Sequence, residues 1–322
     1  MRRVDREGGE MTDDGASVTV VGSYNVGLTM VVPRFPVAGE TVIGRDFAEG
    51  PGGKGSNQAI AAARLGADAS FVGNVGTDRY GDDAVALWED ETVDTEHVGR
   101  DPDAHTGAGF VIVEEDGENE ITVAPGANHA LDAADVDAAS GAIEASDCLL
   151  AQLEIRDEPI EAAVEVADAA GVTVTLNPAP ARELPESLLA NVDYLTPNQN
   201  EARILTGREP DADVGDERIA RELLELGVDT VVMTRGAEGA LVVTGSETTQ
   251  ISAPSVPVTD TTGAGDSFNA AFVVALGEGR DVESAARFAC RAGALAVTEM
   301  EVVPGLPTRE EVESMVDDRT GA

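Results

Sequence analysis

The sequence has few basic residues and almost no lysine. Among 322 residues, 21 are Lys or Arg and 61 are Asp or Glu, which gives a formal net charge of −40 at pH 7. Lys54 is the single lysine. A surface this acidic repels the phosphates of nucleic acids and of anionic membranes, so we expect neither as a partner. Carboxylates keep a protein dissolved at molar salt, where charges are screened over about 3 Å, so the composition is typical of a salt-loving host.

Cysteine, histidine and long apolar runs are scarce as well. No apolar run is long enough to span a membrane, and the first residues, Met-Arg-Arg-Val-Asp, lack the apolar segment of a signal peptide, so we expect a cytoplasmic protein. The two cysteines, Cys148 and Cys290, lie in apolar surroundings that favour free, buried thiols over a disulfide. With three histidines and no Cys/His cluster, a zinc site is not expected.

The order of apolar stretches predicts an α/β fold. Residues 17–22 form a β-branched run that ends in glycine, which is typical of a buried strand. From a predicted helix at residues 131–144 onward, helices alternate with strands. This alternation predicts a mostly parallel sheet covered by helices on both faces, which is a three-layer sandwich. Residues 1–16 are expected to be a flexible extension of a domain at 17–322, with Met11 as an alternative start.

Two early β-rich segments do not fit that sheet. They cover about residues 27–50 and 105–128, and Asp116-Gly117 in the second segment is a strong hairpin signal. We therefore expect a small, separate β-sheet lid. Between the two segments, Ser56 is expected to cap an alanine-rich helix that Gly66 closes.

A glycine-rich segment at residues 260–269, Asp-Thr-Thr-Gly-Ala-Gly-Asp-Ser-Phe-Asn, carries the strongest local signal for chemistry. An apolar helix follows, so Gly263, Ala264 and Gly265 present backbone N–H groups at a helix N-terminus, where an anion is favoured. Asp266 lies in the first helical turn, within reach of a hydroxyl that attacks a phosphate bound there, as a base does in phosphoryl transfer. An ordinary helix cap after a glycine turn is the alternative. The segment is not a Walker A loop, because no Gly-Lys-[Ser/Thr] follows.

The single lysine lies in a second glycine-rich segment. Residues 52–59 read Gly-Gly-Lys-Gly-Ser-Asn-Gln-Ala and open a helix. Gly52 and Gly53 allow the backbone to approach a ligand closely, and Asn57 can both donate to and accept from a hydroxyl. A plain glycine turn does not explain why Lys54 is retained, so a binding role is favoured.

With both segments in place, the sequence resembles the ribokinase (PfkB-type) family of ATP-dependent sugar and nucleoside kinases, over about residues 18–307. Further stretches typical of the family follow in the family's order, and the ordered set is much more specific than any single stretch. They are Gly-Ser-Tyr-Asn at 22–25, Phe-Pro at 35–36, Gly-Glu-Thr at 39–41, Gly-Ala-Asn at 126–128, Gln-Leu-Glu at 152–154, Asn-Pro-Ala-Pro-Ala-Arg-Glu-Leu-Pro at 177–185, Thr-Pro-Asn-Gln-Asn-Glu at 196–201 and Thr-Arg-Gly at 234–236. Within the family the sequence is most similar to the ribokinases proper, and its composition points to a halophilic archaeon.

The resemblance implies a role for each matching residue. Asp266 would be the catalytic base, with Gly263, Ala264 and Gly265 as the anion hole for the transferred phosphoryl group. The β-rich segments would form a lid over the sugar, and because this lid often mediates dimerisation in relatives, a homodimer is implied. Further implied roles are sugar binding by Asn25, Gly27, Gly53, Lys54, Asn57 and Glu154, nucleotide binding by Asn198, Thr234, Gly236, Gly239 and Cys290, and Mg²⁺ binding through water by Asn198 and Glu201.

Gly27 departs from the family pattern, because many ribokinases have there an aspartate that binds two sugar hydroxyls. Loss of that carboxylate removes a repulsion that a phosphorylated sugar would feel. Arg34 and Arg45 in the lid segment could face such a group, although both could equally be solvated. Ribose 1-phosphate, phosphorylated at its 5-hydroxyl, is therefore a candidate acceptor beside ribose.

Two further departures concern the cation and the nucleotide. Glu301 and Gly305 occupy the places of a small residue and a serine in relatives that K⁺ activates. Asp260 would still serve such a monovalent-cation site, but the departures put activation by K⁺ in doubt. Cys290 stands where the family often has Asn or His beside the adenine.

The leading hypothesis is an ATP- and Mg²⁺-dependent kinase that transfers the γ-phosphate to the primary 5-hydroxyl of ribose or ribose 1-phosphate. A nucleoside kinase is the nearest alternative, followed by a 2-keto-3-deoxy sugar acid kinase. From another class, a non-catalytic sugar-binding sensor is disfavoured because Asp266, Asn198 and Glu201 are all present. A dinucleotide-dependent oxidoreductase lacks a Gly-x-Gly-x-x-Gly after the first strand.

Overall fold

The structure is a computed structural model that describes residues 15–114 and 118–315. Most of the predicted extension at 1–16, the alternative start at Met11 and the Asp116-Gly117 turn lie outside the described residues.

Helices and strands alternate along most of the described chain. The strands are β1 (Ser17–Val21), β2 (Asn25–Val32), β3 (Asp46–Gly52), β4 (Asp68–Gly76), β5 (Val98–Asp101), β6 (Ala108–Glu114), β7 (Asn119–Ala124), β8 (Cys148–Gln152), β9 (Thr173–Asn177), β10 (Tyr194–Leu195), β11 (Thr230–Thr234), β12 (Ala240–Val243) and β13 (Thr248–Ile251). The α-helices are α1 (Lys54–Arg64), α2 (Arg79–Asp90), α3 (Ala133–Ala138), α4 (Ser140–Ala145), α5 (Asp157–Ala170), α6 (Glu186–Leu189), α7 (Gln199–Leu205), α8 (Asp216–Glu225), α9 (Ala264–Gly277), α10 (Val282–Ala296), α11 (Val302–Gly305) and α12 (Arg309–Ser314), with short 3₁₀ helices at Gly126–His129 and Gly236–Glu238.

The central sheet has nine strands in the order β13-β12-β11-β10-β9-β8-β1-β4-β5. Every neighbouring pair from β11 to β5 is parallel, and only the β11-β12 and β12-β13 pairs are antiparallel. The predicted mostly parallel sheet is therefore confirmed.

Helices cover both faces of this sheet, because its strands are apolar on both sides. In β8, Cys148 and Leu150 pack into one buried cluster, together with residues of α1, α9 and α10. Leu149 and Ala151 pack into the other cluster, with residues of α5 and α8. Successive side chains of a strand point to opposite faces, so a strand in the middle layer has to be apolar throughout. This arrangement is the predicted three-layer sandwich.

A second sheet of four strands, in the order β3-β2-β6-β7, stands apart from the central sheet. Strands β2 and β6 pair in parallel, while β2-β3 and β6-β7 are antiparallel. This is the small separate sheet expected from the two β-rich segments. Its action as a lid stays a prediction.

The start of α1 differs from the prediction. Ser56 is not the N-cap, because the helix already begins at Lys54 and Gly53 caps it. Ser56 is fully buried, and its hydroxyl accepts a hydrogen bond of 2.8 Å from the indole nitrogen of Trp88. The missing Cβ at Gly55 lets the first helical turn press against the loop after β1, so tertiary packing overrides the capping signal.

Two other sequence predictions have definite outcomes. The helix predicted at 131–144 is divided into α3 and α4 at Ala139, where the following Ser140 and Gly141 have low helix propensity. Cys148 and Cys290 are buried and form no disulfide, as predicted. None of the helices in the described ranges is both long and apolar enough to cross a bilayer.

Replacing Ser56 tests the packing of α1 on α2. Trp88 is fully buried against Tyr24 and Phe71, and Ser56→Ala removes the acceptor of its indole N–H. An unsatisfied buried donor costs about 1–3 kcal/mol, so the free energy of unfolding should fall by that amount. Urea unfolding followed by the fluorescence of this single tryptophan measures the change. Exposed Ser246→Ala is the control and should shift stability by less than about 0.5 kcal/mol; an equal stability of the two variants would contradict the prediction.

Candidate active site

The candidate site lies at the carboxyl edge of the central sheet, where ligands bind in open α/β sheets. Glu154 follows β8, Asn198 follows β10 and Thr234 ends β11. Helices α1, α7 and α9 begin at the same edge and direct their N-termini toward these side chains. The fold thus brings together residues that are up to about 240 positions apart in the sequence.

Asp266 is at the centre of the site, in the first turn of α9. Its side chain is almost fully buried, and both carboxylate oxygens accept hydrogen bonds from amide side chains. Asn57 Nδ2 donates to Oδ2 at 2.8 Å, and Gln58 Nε2 donates to Oδ1 at 3.0 Å. The two glycine-rich segments predicted from the sequence therefore meet at this carboxylate.

The turn before Asp266 is shaped for close approach. Gly263 caps α9 with φ +81°, and a Cβ there would lie 2.6 Å from Cγ1 of Val302. A Cβ on Gly265 would have no atom within 4 Å, so open space lies over the first turn. The first N–H groups of a helix have no intrahelical acceptor. Within the segment 263–265, the Ala264 N–H donates to the Thr261 carbonyl at 3.4 Å. The N–H groups of Gly263 and Gly265 have no acceptor among the described residues.

Glu154 holds the start of α1 against the loop after β1. Its Oε2 accepts from the Ser23 hydroxyl at 2.5 Å, from the Lys54 backbone N–H at 2.9 Å and from Asn25 Nδ2 at 3.4 Å. Gly53 has φ +89°, and a Cβ there would lie 2.7 Å from the backbone nitrogen of Asn25. Only glycine tolerates both the angle and the contact.

Asn25 is held from a second side by Asn128. The Asn128 amide donates to Oδ1 of Asn25 at 3.0 Å and exchanges two hydrogen bonds with the backbone of Tyr24.

Asn57 completes this part of the site. Its Nδ2 is bound to Asp266, while its Oδ1 is buried and accepts no hydrogen bond from the described residues. A buried acceptor without a partner is costly, so this atom suits a ligand hydroxyl.

Lys54 lies among three carboxylates. Burial alone lowers the pKa of Lys54, but attraction to Asp266, Glu154 and Glu201 outweighs burial and raises it above its ordinary value. Burial also raises the pKa of Glu201, against the opposing attraction of Lys54. With one cation facing three acidic groups, the site carries an excess of negative charge, which favours the binding of a further cation.

Asn198 and Glu201 form a reciprocal cap at the start of α7. The Asn198 backbone N–H donates to Glu201 Oε2, and the Glu201 N–H donates to Asn198 Oδ1, both at 2.8 Å. Carboxylate oxygens suit Mg²⁺, which keeps several of its waters, and Oε1 of Glu201 remains for a water of such an ion. The described residues hold no group of three or more acidic, His or Cys side chains arranged for direct metal binding.

A cavity of about 710 Å³ adjoins this cap and reaches the first turn of α9. The five residues predicted to bind a nucleotide, Asn198, Thr234, Gly236, Gly239 and Cys290, all line it. Burial raises the pKa of the Cys290 thiol to about 12, so Cys290 contributes as an apolar wall. Sequence reasoning missed most of the remaining lining. It consists mainly of ordinary apolar and small residues: Ala237, Ala253, Pro254, Ser255, Val256, Val258, Thr261, Phe268, Gly293, Ala294 and Val297.

Three more residues singled out from the sequence, Gly27, Arg34 and Asp260, lie in or next to the small sheet or shortly before α9. Gly27 lies in β2 of the small sheet, and a Cβ there would lie 3.5 Å from the carbonyl of Gly50, an ordinary contact. Arg34 is bound to Glu40, with Nη1 donating to Oε2 at 2.7 Å. Asp260 Oδ1 accepts from the backbone N–H and the hydroxyl of Thr262, at 2.9 and 2.7 Å.

Known proteins share this fold. A model of the pfkB family of carbohydrate kinases matches residues 16–309. The chain is 40% identical to the ribokinase of Haemophilus influenzae, over 92% of this chain and 96% of that protein. It is 41% identical to the ribokinase of Bacillus subtilis, over 93% of this chain and 99% of that protein. The structure of Arabidopsis thaliana ribokinase complexed with ribose and ATP has a TM-score of 0.87 and 33% identity, and the match covers 93% of this chain and 98% of that chain.

Proposed function

The chain belongs to the pfkB family of carbohydrate kinases, which transfer phosphate from ATP to a sugar, and we propose that its acceptor is ribose, phosphorylated at the 5-hydroxyl. The observation that carries this proposal is the buried Asp266 carboxylate. It lies in the first turn of α9 and accepts a hydrogen bond from the Asn57 amide. The ribokinase relatives, and the complex of one of them with ribose and ATP, support ribose as the sugar.

In the proposed step, Asp266 takes the proton of the sugar 5-hydroxyl. The hydroxyl oxygen then forms a bond to the γ-phosphorus of ATP, and the bond from that phosphorus to the bridging oxygen of ADP breaks. Backbone N–H groups of Gly263, Ala264 and Gly265 stabilise the charge that develops on the phosphoryl oxygens. These donors act without reorganising, because the helix already holds them in place.

The remaining polar groups bind and orient the sugar. Asn25, Lys54, Asn57 and Glu154 offer both acceptors and donors to its hydroxyls, and Gly53 allows the chain to come close. Site groups that are left unpaired when a hydroxyl is missing discriminate strongly against analogues that lack it. We propose that the small sheet closes over the sugar as a lid and excludes water from the transferred phosphoryl group.

ATP would occupy the 710 Å³ cavity, with its phosphates toward the start of α9. Glu201 and Asn198 would hold Mg²⁺ through its waters, and the ion would neutralise phosphate charge. Thr234, Gly236, Gly239 and the buried Cys290 would contact the nucleotide. The negative charge of this part of the site supports a need for the cation.

Asp266→Asn tests the proposed base. The amide keeps the shape of the side chain but cannot take a proton, so kcat should fall by about 10²- to 10⁴-fold. Calorimetry should still detect binding of ribose and of a non-hydrolysable ATP analogue. The exposed Asp68→Asn is the control and should keep the original kcat. Activity of Asp266→Asn within tenfold of the original would reject Asp266 as the base.

The choice between ribose and ribose 1-phosphate as the acceptor depends on the environment of Gly27. A side chain fits there, because the glycine has an ordinary φ and the nearest atom to a Cβ is 3.5 Å away. The absence of a carboxylate at this position is what favours ribose 1-phosphate as an acceptor. Against it, Arg34 is bound by Glu40, and a phosphate near Glu154 would be repelled.

Gly27→Asp separates the two acceptors. A carboxylate that binds sugar hydroxyls should raise kcat/KM for ribose by about 10- to 150-fold, since a charged hydrogen bond contributes about 1.5–3 kcal/mol. The same charge should lower kcat/KM for ribose 1-phosphate. A coupled assay of ADP release over both sugars, at high KCl, measures the two effects. A wide preference of the original protein for ribose 1-phosphate would overturn the choice of ribose.

We also propose that the protein is a homodimer through its small sheet. Met30 pairs with Phe47 across β2 and β3, and Leu28 pairs with Phe110 across β2 and β6, so these side chains share one face. Met30, Phe47 and Phe110 are 42–55% exposed. A second copy of this face would remove that apolar surface from water.

The double variant Phe47→Asp/Phe110→Asp should change the mass in solution. Sedimentation in molar KCl should give about twice the chain mass of 33.2 kDa for the original protein and the chain mass for the variant. Ile43→Asp is the control, since Ile43 is exposed outside the sheet, and it should remain dimeric. A monomeric mass for the original protein at all concentrations would contradict the proposal.

A further inference from the structure

Behind Asp266 lies a connected set of three buried amide side chains, from Gln58, Gln152 and Asn177. Gln58 and Gln152 are fully buried, and Asn177 is 6% exposed. Asn177 Oδ1 accepts from Gln58 Nε2 at 3.1 Å, and Gln58 Oε1 accepts from Gln152 Nε2 at 2.6 Å. Gln58 lies in the glycine-rich segment that opens α1, and Gln152 and Asn177 end β8 and β9. None of the three takes part in the proposed transfer step.

A backbone carbonyl orients this set. Asn177 Nδ2 donates to the carbonyl oxygen of Thr196 at 3.2 Å, and a carbonyl can only accept. Asn177 must therefore turn its Oδ1 toward Gln58, which in turn must present its amino group. Gln152 favours the same orientation of the Gln58 amide, because it donates to Gln58 Oε1. Of the two orientations that exchange the oxygen and the nitrogen of the Gln58 amide, only one is therefore favourable.

In that orientation the second N–H of Gln58 points at Asp266 Oδ1, 3.0 Å away. If the amide were reversed, its oxygen would oppose the carboxylate oxygen. Asn57 holds Oδ2, so the plane of the carboxylate is determined by donors at both oxygens. An amide does not take up protons near neutral pH, so these donors orient the carboxylate without competing for its proton.

We propose that Gln58 is a positioning residue for the base, and that Asn177 and Gln152 act on catalysis only by orienting Gln58. The inference rests on the proposed role of Asp266 and deepens it. The three amides do not touch the substrate; they hold the carboxylate where it meets the sugar hydroxyl. A misplacement of about 1 Å at a reacting group costs roughly 100-fold in rate, so such an oriented donor has a large effect.

Gln58→Met is the first test, because methionine has a similar shape and removes the donor and the acceptor together. We expect kcat to fall about 10- to 100-fold, while KM for ribose and for ATP changes less than about threefold, because the sugar-binding side chains are untouched. A kcat within twofold of the original would overturn the proposal.

The pH profile provides a readout that a purely structural role would not change. In Gln58→Glu, the new carboxyl group faces Asp266 Oδ1, and two adjacent carboxyl groups share one proton. Lys54 and Glu201, the other charged groups near Asp266, are unchanged. The acid limb of the kcat profile should therefore move to higher pH by about one unit or more. An acid limb that stays in place would show that residue 58 does not act on the base.

A double-mutant cycle tests whether Gln152 acts through Gln58. Gln152→Met releases one side of the Gln58 amide and should lower kcat less than Gln58→Met does. In the double variant kcat should equal that of Gln58→Met alone, because no oriented amide remains for Gln152 to hold. If the two losses of activity multiply, Gln152 acts independently and the proposed order of action is wrong. This cycle remains informative if Gln58→Met is poorly stable, because Gln152→Met alone must then still lower kcat.

Asn74→Leu is the matched control, since Asn74 is also a buried amide that donates to an aspartate, Asp135, at 3.4 Å. It should lower stability in urea without lowering kcat. Failure of this inference and failure of the proposed base are distinguishable. If Asp266→Asn is inactive while Gln58→Met is fully active, only the positioning role is wrong; if Asp266→Asn is active, the base itself is wrong.

Discussion

The close contact between the first turn of α1 and the loop after β1 is the constraint on which the rest of the site depends. A Cβ at Gly55 would lie 2.5 Å from the backbone nitrogen of Ser23, and the Ser56 N–H donates to the Ser23 carbonyl at 2.9 Å. Because the two backbones touch, one carboxylate, Glu154, reaches both of them. The same helix then extends its next residues to Asp266. A side chain at Gly53 or Gly55 would force these two backbones apart and separate the groups around Glu154 from Asp266.

In the proposed mode of binding, the phosphates of ATP meet backbone groups and not surface charge, which is compatible with an acidic chain. Backbone N–H groups at the start of α9 provide positive potential locally. Lys54 offsets part of the negative charge of its three acidic neighbours. The acidic groups around Lys54 also keep it charged. The net charge of −40 is the sum over the whole chain, whereas the proposed phosphate binding depends on a few oriented dipoles in a partly buried site.

Much of the site could be predicted from the sequence, because its chemistry is encoded in local segments. Short stretches with clear turn and helix signals determine three features of the site. These are the cap of α9 at Gly263, the position of Asp266 in the first turn of α9 and the cap of α7 formed by Asn198. The roles of Gln58, Gln152 and Asn177 could not be predicted this way. Their amides meet only because β8 and β9 are neighbours in the sheet and the start of α1 reaches the ends of both strands. No local pattern contains that information.

The error at Ser56 has the same origin. Serine before an alanine-rich helix is a strong capping signal, but the hydroxyl is instead needed by an indole from α2. The apolar wall of the 710 Å³ cavity is a related case, since a valine or an alanine that lines a cavity looks like any core residue until the fold is known. Local chemistry was predictable here, and long-range partnerships were not.

The single lysine has a practical consequence for studies of this protein. Amine-directed reagents and cross-linkers require the uncharged amine, and the chain offers them one side-chain amine in all. That amine has a raised pKa and is shielded by its acidic neighbours. Reagents that label most proteins at many lysines will therefore leave the side chains of this protein almost unmodified. Carboxylate-directed chemistry is the effective way to attach probes to its surface, because the chain has 61 Asp and Glu residues.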